Sequence, residues 1–310
     1  MSEPLVKFGL MSDVQYADKD DKGVGEGGRV QYFRSALPKL RDAVSFFNQR
    51  KSELKFVAHL GDIIDGHYIY PPGTPLVAES RKDLESTASV MDTLEVERVL
   101  VIGNHCLQVP RKEMMQRLGI EKTYFATSLA PGWRLLVLDT TEVNVAPMEV
   151  EREPSALDAE ARAWWDDEAN KDKEWRQIWN STVGSEQREW IAGELQAAER
   201  AGERVIVFGH HPVGWGAASL LHFAWDRERL EELFLSSKAF VAYFNGHDHA
   251  GGYAERDGRH FVTLEAILEA PEGSNAYGVV SVHEDKIVVE GHGELSSRVL
   301  HVPPAPQARV

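Results

Sequence analysis

The chain contains the stretch Phe56-Val57-Ala58-His59-Leu60-Gly61-Asp62-Ile63-Ile64-Asp65, in which an apolar run is followed by a glycine and two aspartates. A short apolar run of this kind is typical of a buried strand, and open α/β sheets bind ligands where their strands end. The glycine allows a sharp turn by which Asp62 can leave the end of the strand. The stretch therefore predicts an α/β sheet strand that delivers an acidic ligand at its carboxyl end.

Four other apolar runs lead into polar motifs in the same way. The runs cover residues 6–11, 98–102, 204–208 and 240–244. The motifs that follow them are Asp13-Val14-Gln15, Gly103-Asn104-His105, Gly209-His210-His211-Pro212 and Gly246-His247-Asp248-His249. A pair of divalent cations needs carboxylate, amide and imidazole ligands, with one carboxylate bridging the two ions. The five motifs together predict a single two-metal site, with Asp62 as the natural bridge.

Two of these motifs place their polar side chains two residues apart. Asp13 and Gln15 have this spacing, and His247 and His249 repeat it. Side chains at positions i and i+2 of an extended strand point to the same side. The spacing predicts that each pair serves one cavity from an extended strand end.

The remainder of the chain alternates strand-like and helix-like patterns. Apolar residues recur at helical spacing over residues 32–50, 82–94 and 185–201, and short β runs occupy 259–264, 277–283 and 286–290. We therefore predict one layered α/β domain spanning residues 1–310.

The region from about residue 141 to 184 differs in composition, with four tryptophans among many charged residues. It predicts an inserted helical cap. Its tryptophans either pack the cap against the core or, with the turn Asn180-Ser181-Thr182, line a pocket for a nucleobase, which stacks well on aromatic faces.

The five motifs, in this order, resemble those of the calcineurin-like metallophosphoesterases. The resemblance implies an α/β/β/α sandwich of two mixed sheets flanked by helices. It also implies that a first metal ion is bound by Asp13, Gln15 and His249. A second ion would be bound by Asn104, His210 and His247, and Asp62 would bridge the two. His105 would be the catalytic acid, with Asp65 holding its ring.

Two positions depart from the general family pattern. Gln15 stands where most members have histidine, and its amide oxygen favours Mn²⁺, although imidazoles also accept Fe or Zn. Cys106 replaces the acidic residue that normally ends the third motif, which predicts the loss of one hydrogen bond to a metal ligand or to His105. The Asp-x-Gln motif and residues 264–271 are similar to those of the manganese-dependent ADP-ribose/CDP-alcohol diphosphatases, a likeness that extends from about Phe8 to Leu300.

This narrower resemblance implies a substrate class and a reaction. ADP-ribose, CDP-choline or CDP-glycerol would be split at the diphosphate into a nucleoside monophosphate and a phosphorylated alcohol or sugar. The hypothesis is in-line attack by a metal-bound hydroxide, without a covalent enzyme intermediate. Five residues near the motifs are candidate substrate contacts: Arg29, Arg34, His211, Trp215 and His222.

Other functions remain open from the sequence. A phosphomonoesterase or a cyclic-nucleotide phosphodiesterase could use the same metal site, and a non-catalytic scaffold would be expected to have lost metal ligands that are all present here. Residues 23–28 match the glycine pattern of nucleotide-binding oxidoreductases. The acidic run at 18–21 separates them from the preceding strand, so we interpret them as a mobile loop beside the first metal.

Composition restricts the partners. A net charge of −15, with no extended basic run, argues against a nucleic-acid binder. The chain has a single cysteine and no run of about 18 apolar residues. We expect a cytoplasmic enzyme with a small nucleotide-containing substrate, no membrane segment and no obligate protein partner.

Overall fold

The computed structural model describes residues 3–23, 28–67, 76–145 and 148–308. Within these residues the strands are β1 Val6–Met11, β2 Phe56–His59, β3 Glu97–Leu100, β4 Phe125–Ala130, β5 Trp133–Val137, β6 Arg204–Phe208, β7 Phe240–Asn245, β8 Ala250–Arg256, β9 Arg259–Glu265, β10 Ala276–Val282, β11 Lys286–Gly293 and β12 Arg298–His301. The helices are α1 Ala36–Gln49, α2 Val77–Met91, α3 Arg111–Leu118, α4 Leu157–Asp166, α5 Ser185–Ala201 and α6 Arg227–Ser236.

The strands form two mixed sheets of six strands each. The first sheet has the order β12-β11-β10-β1-β2-β3, and the second has the order β4-β5-β6-β7-β9-β8. Strands β1, β2 and β3 are parallel to one another, as are β5, β6, β7 and β9. Parallel strands end at the same edge of a sheet, so each sheet gathers the loops that follow its central strands.

The two sheets pack face to face over an apolar core that includes Phe8, Phe56, Phe208 and Phe244. Helices α1, α2 and α3 cover the outer face of the first sheet, while α5 and α6 cover that of the second. The predicted α/β/β/α sandwich is confirmed. It arises because the central strands are apolar on both faces and need a cover on each side.

In its described residues, the tryptophan-rich segment contains the α-helix α4, a short 3₁₀ helix at Glu168–Asn170 and otherwise irregular chain. An antiparallel bridge between Val143 and Thr182 closes its base. Trp164 stacks on the fully buried Trp225, with ring centroids 5.0 Å apart and planes at 7°. Packing therefore accounts for this tryptophan, in line with the first of the two interpretations.

Two helices begin at residues other than those predicted from the sequence. Helix α2 begins at Val77 rather than at Lys82, because the buried positions near its start, Ser80 and Asp83, are polar and lack the apolar spacing used to predict it. Helix α1 begins at Ala36 rather than at Tyr32. Residues 24–27 of the predicted glycine loop lie outside the described residues. None of the helices in the described ranges has the length and apolarity needed to cross a membrane.

Candidate metal centre

The polar motifs of both sheets meet at one place between the strand ends. Asp13 and Gln15 follow β1, Asp62 follows β2 and Asn104 follows β3, whereas His210 follows β6, and His247 and His249 follow β7. The main-chain amide of His247 donates to both carboxylate oxygens of Asp13, at 3.1 and 3.2 Å. A loop of the second sheet is thereby joined directly to a loop of the first.

The backbone at this point is not extended, contrary to the expectation from the residue spacing. Asp13, Gln15, Asp62 and His247 have φ angles of 51°, 41°, 55° and 72°. These left-handed conformations are uncommon for residues with a side chain, and they cluster at functional sites where the surrounding structure stabilises them. The side chains converge because each loop turns sharply, and not because a strand continues into the site.

Glycines permit the close approach of these loops. A Cβ atom at Gly103 would lie 2.1 Å from Oδ1 of Asp62, and one at Gly246 would lie 2.2 Å from Oδ2 of Asp13. Gly61 has φ +105°, and a Cβ there would lie 2.3 Å from Nδ1 of His210. No other residue fits at these positions without moving a predicted ligand.

Asp62 is completely buried and lies at the centre of the contacts. Its Oδ2 is 3.2 Å from Nε2 of His210 and accepts a hydrogen bond of 3.1 Å from Nε2 of Gln15. Its Oδ1 accepts a 2.8 Å hydrogen bond from the main chain of His105. Burial by itself would raise the pKa of Asp62, but the neighbouring imidazoles outweigh it and hold that pKa below the usual range. The carboxylate is thus ionised, as a bridging ligand must be.

Asp13 is also completely buried, and burial raises its pKa above the ordinary value. The imidazoles of His210 and His249 oppose that shift. A buried carboxylate with so few counter-charges is costly unless a cation is nearby. The side chain therefore favours a positive ion at this place.

Hydrogen bonds determine which imidazole nitrogens are free. Nδ1 of His210 lies 2.9 Å from the main-chain oxygen of Leu60, which can only accept, so this nitrogen donates and Nε2 is the nitrogen that faces Asp62 and Asn104. Nδ1 of His249 lies 2.9 Å from Oε1 of Glu269, which leaves Nε2 facing Asp13 at 3.9 Å. Metal-binding histidines characteristically use their second nitrogen in this way.

Two overlapping groups of side chains have donor atoms close enough to share a cation. Asp13, Asp62 and His210 form one group, and His210, His211 and His247 form the other, with all donor atoms of a group within 4.8 Å of one another. Burial and neighbouring imidazoles lower the pKa of His211 and His247 well below 6.5. Neutral imidazole is the form that binds metal. The donor set fits two divalent cations.

The predicted acid, His105, starts a short 3₁₀ turn and is about one quarter exposed. Its Nδ1 donates to the main-chain oxygen of Asp65 at 2.7 Å, while the nearer carboxylate oxygen of Asp65 is 3.7 Å away. Asp65 thus holds the ring through its carbonyl rather than its carboxylate. The carboxylate pairs with Lys19 instead. Cys106 is buried, which raises the pKa of its thiol to about 12 and makes it unreactive.

The two candidate arginines lie in different surroundings. Arg29 donates to the main-chain oxygen of His249 at 3.3 Å and lies 3.4 Å from Glu269, so it borders the centre. Arg34 is exposed and pairs with Asp18 at 2.7 Å and with Asp20 at 2.5 Å. Of the two arginines, Arg29 contacts a predicted metal ligand, whereas the ion pairs of Arg34 are with Asp18 and Asp20.

The other substrate candidates follow His210 along the chain. His211 is completely buried beside Thr140 and the other imidazoles, and therefore faces the predicted ligands rather than an open pocket. The ring of His222 lies 5.3 Å from that of His247. Trp215 is 43% exposed and stacks on Phe223 at 5.8 Å.

Two side chains that contact the predicted metal-binding histidines could not be predicted from the sequence. Glu269 lies within the run 264–271 noted for its family likeness, but nothing local marks its contact with His249. Asn180 belongs to a turn considered for the nucleobase, yet its Oδ1 lies 2.7 Å from Nε2 of His247. Both residues are distant in sequence from the histidines that they contact, so only the fold reveals them.

Comparisons with known proteins identify the family of this chain. Residues 6–251 match the profile of the calcineurin-like phosphoesterases. A protein of Arabidopsis thaliana named manganese-dependent ADP-ribose/CDP-alcohol diphosphatase is 31% identical, with 95% of this chain and 96% of that protein aligned. A protein of the same name from Bos taurus is 27% identical over 97% of this chain and 95% of its own.

A solved structure is similar to this chain over nearly its whole length. The crystal structure of a dimetal phosphatase from Danio rerio superposes with a TM-score of 0.85 at 26% identity, covering 97% of this chain and all of that chain. The sheet order, the converging donors and the match over residues 6–251 lead to one conclusion: the chain belongs to the calcineurin-like phosphoesterase family.

Proposed function

We propose that this protein is a manganese-dependent hydrolase of nucleoside diphosphate-linked compounds. ADP-ribose, CDP-choline and CDP-glycerol are the expected substrates, each cleaved at the diphosphate into a nucleoside monophosphate and a phosphorylated sugar or alcohol. The observation that carries the proposal is the position of Asp62, buried and ionised between ligand loops of both sheets. The names of the relatives supply the substrate class.

Each cation would take ligands from both sheets. We assign Asp13, Gln15 and His249 to the first ion, Asn104, His210 and His247 to the second, and Asp62 to both. Gln15 now turns its amide nitrogen towards Asp62, and a half-turn of the amide presents its oxygen instead. Amide and carboxylate oxygens dominate the first site and favour Mn²⁺, whereas imidazoles make Fe or Zn acceptable at the second.

Two bound cations would supply Lewis acidity at the phosphoryl oxygens and a water of lowered pKa. The protein itself supplies orientation and a proton. Nδ1 of His105 donates to the carbonyl of Asp65, so a proton to be transferred has to be on Nε2, and the ring acts as an acid in its imidazolium form. We assign the Nε2 proton of this imidazolium to the departing phosphate oxygen, which leaves a neutral ring protonated at Nδ1, with Asp65 as the positioning residue.

Substrate contacts are proposed on either side of the metal ligands. Arg29 borders His249 and can bind a phosphate oxygen of one end. His222 borders His247, and the partly exposed ring of Trp215 is assigned to the nucleobase. Arg34 is left out of this set because Asp18 and Asp20 already pair with it, and His211 because it is buried.

The expected partner is the substrate alone. The single cysteine, Cys106, is buried and unpaired, which suits a reducing compartment, and we propose a cytoplasmic location.

Product analysis tests the proposed function. Metal-stripped protein is resupplied with Mn²⁺, Mg²⁺ or Zn²⁺ and offered ADP-ribose, CDP-choline, cyclic AMP and p-nitrophenyl phosphate in parallel. Release of AMP and CMP with Mn²⁺, separated by chromatography, is the expected result. Turnover of only the monoester or the cyclic nucleotide would retain the metal site and reject the diphosphatase assignment.

A further inference from the structure

Asn180, near the end of the tryptophan-rich segment, makes three contacts with its side chain and has no exposed surface. Its Nδ2 donates to the main-chain oxygen of Trp175 at 2.9 Å and to that of Leu221 at 2.7 Å. Its Oδ1 lies 2.7 Å from Nε2 of His247. One amide thus joins the inserted segment, the loop before His222 and a proposed metal ligand.

These contacts fix the orientation of the amide. Both main-chain oxygens can only accept a hydrogen bond, so the NH₂ group must face them and the oxygen must face His247. An amide oxygen is in turn only an acceptor. Nε2 of His247 therefore carries the proton, and Nδ1 is the nitrogen with a free lone pair.

We infer that Asn180 is a positioning residue that presents Nδ1 of His247 to the second cation and so makes occupancy of that site depend on the inserted segment. The inference rests on the proposed function, because it takes His247 as a metal ligand. Without the amide, His247 could rotate or change tautomer and turn a protonated nitrogen towards the cation. Loss of such a partner typically lowers metal affinity by about 10- to 100-fold.

Glu269 provides a matched case at the first cation. Its Oε1 lies 2.9 Å from Nδ1 of His249, the opposite ring nitrogen, and so leaves Nε2 for the metal. The two acceptors come from different segments and each contacts a different histidine. Removing one should weaken one site and leave the other as it was.

The inserted segment also contains a control asparagine. Asn144 is 3% exposed and donates from Nδ2 to the main-chain oxygen of Thr141 at 2.8 Å. Its Oδ1 accepts a 2.7 Å hydrogen bond from Arg152. Asn144 resembles Asn180 in burial and bonding but contacts no proposed ligand, so Asn144→Ala reports the general cost of disturbing this segment.

The experiment is calorimetric titration of the metal-free full chain with MnCl₂, with the electron paramagnetic resonance of bound Mn²⁺ as a second readout. Wild type should bind two ions. Asn180→Ala should keep one affinity and weaken the other by about 10- to 100-fold, whereas Asn144→Ala should retain both. Glu269→Ala should weaken the site that Asn180→Ala spares, and the double variant should weaken both.

Two outcomes would overturn the inference while leaving the proposed function intact. One is wild-type affinity at both sites in folded Asn180→Ala, and the other is loss of the same site in the Asn180 and Glu269 variants. A wild type that binds fewer than two Mn²⁺ ions would overturn the proposed function and this inference together.

A measurement on the wild type tests the inference without relying on the folding of Asn180→Ala. In metal-free protein carrying ¹⁵N-histidine, two-bond ¹H–¹⁵N spectra identify the protonated nitrogen of each ring, and His247→Asn assigns the signals. We expect His247 to be protonated at Nε2. Protonation at Nδ1 instead would reject the positioning role.

Discussion

The loops of the first sheet and those of the second contribute different chemistry to the same centre. After β1, β2 and β3 the proposed ligands are oxygen donors: Asp13, Gln15, Asp62 and Asn104. After β6 and β7 they are imidazoles: His210, His247 and His249. Each proposed cation takes ligands from both sets, so metal binding connects the two sheets at their strand ends.

The two sets are also held in place differently. On the oxygen side, left-handed backbone at Asp13, Gln15 and Asp62 aims the side chains, and His247 shares that conformation on the imidazole side. On the imidazole side, each ring also donates a hydrogen bond to an acceptor oxygen, on Leu60, Asn180 or Glu269, and this bond selects the nitrogen that faces the site. The oxygen side therefore depends on the local chain, and the imidazole side depends on acceptors from distant segments.

The largest effect is expected where the two sides meet. Asp62→Asn removes the negative charge that both cations are proposed to share, and we expect metal content to fall and turnover to drop by at least about 100-fold. Metal analysis and steady-state kinetics measure the two effects. Asp226→Asn is the control, because Asp226 is a buried carboxylate that pairs with Arg188 at 3.1 Å instead. Two retained Mn²⁺ ions in Asp62→Asn would contradict the bridging role.

The next effect, on kcat, is expected at His105, an imidazole that follows β3 and is not a proposed metal ligand. Because His105 is assigned to proton transfer, His105→Ala should lower kcat by about 10²- to 10⁴-fold with both metal ions still bound. His301→Ala replaces an exposed histidine on β12 and should leave kcat unchanged. Near-normal turnover of His105→Ala would remove the acid from the proposal.

The fold could be predicted from the sequence because its central strands consist of continuous apolar runs. Runs at 6–11 and 204–208 coincide with β1 and β6. The start of α2 could not be placed, since its first turn contains polar residues such as Glu79 and Ser80 and has no apolar stripe. Apolar periodicity reports buried apolar faces, and it gives no signal where the buried positions are polar, as at Ser80.

The motifs of the candidate site could be predicted for a related reason. A glycine beside an acid or a histidine at the end of a strand is a local signal, as at Gly61 and Asp62. The acceptors that orient the rings are remote: Asn180 is 67 positions from His247, and Glu269 is 20 positions from His249. The spacing argument for Asp13 and Gln15 was wrong in its geometry, because a period of two assumes extended backbone and both residues are left-handed.

A smaller effect is expected from glycine on the oxygen side. Gly103→Ala places a Cβ 2.1 Å from Oδ1 of Asp62 and 2.3 Å from its main-chain nitrogen, so Asp62 must move. We expect Mn²⁺ affinity to fall by about 10-fold, measured by calorimetry. Gly193→Ala in α5 meets nothing within 4 Å and should instead stabilise the protein by about 0.5–1 kcal/mol. Equal Mn²⁺ affinity in the two variants would show that Asp62 tolerates displacement.

The smallest effect is expected at Trp215, which is proposed to contact the substrate and not a metal ion. Trp215 is 43% exposed, rests on Phe223 and has the guanidinium of Arg227 4.8 Å from its ring centroid, and its exposed part is the proposed contact for a nucleobase. Trp215→Ala should raise KM for ADP-ribose by about fivefold, the equivalent of about 1 kcal/mol of stacking, and should leave kcat and Mn²⁺ binding unchanged. Trp215→Phe retains an aromatic face and should recover most of the loss. A dialkyl diphosphate has no base to stack. An equal rise in KM for this substrate would show that Trp215 acts by packing its loop and not by contacting the nucleobase.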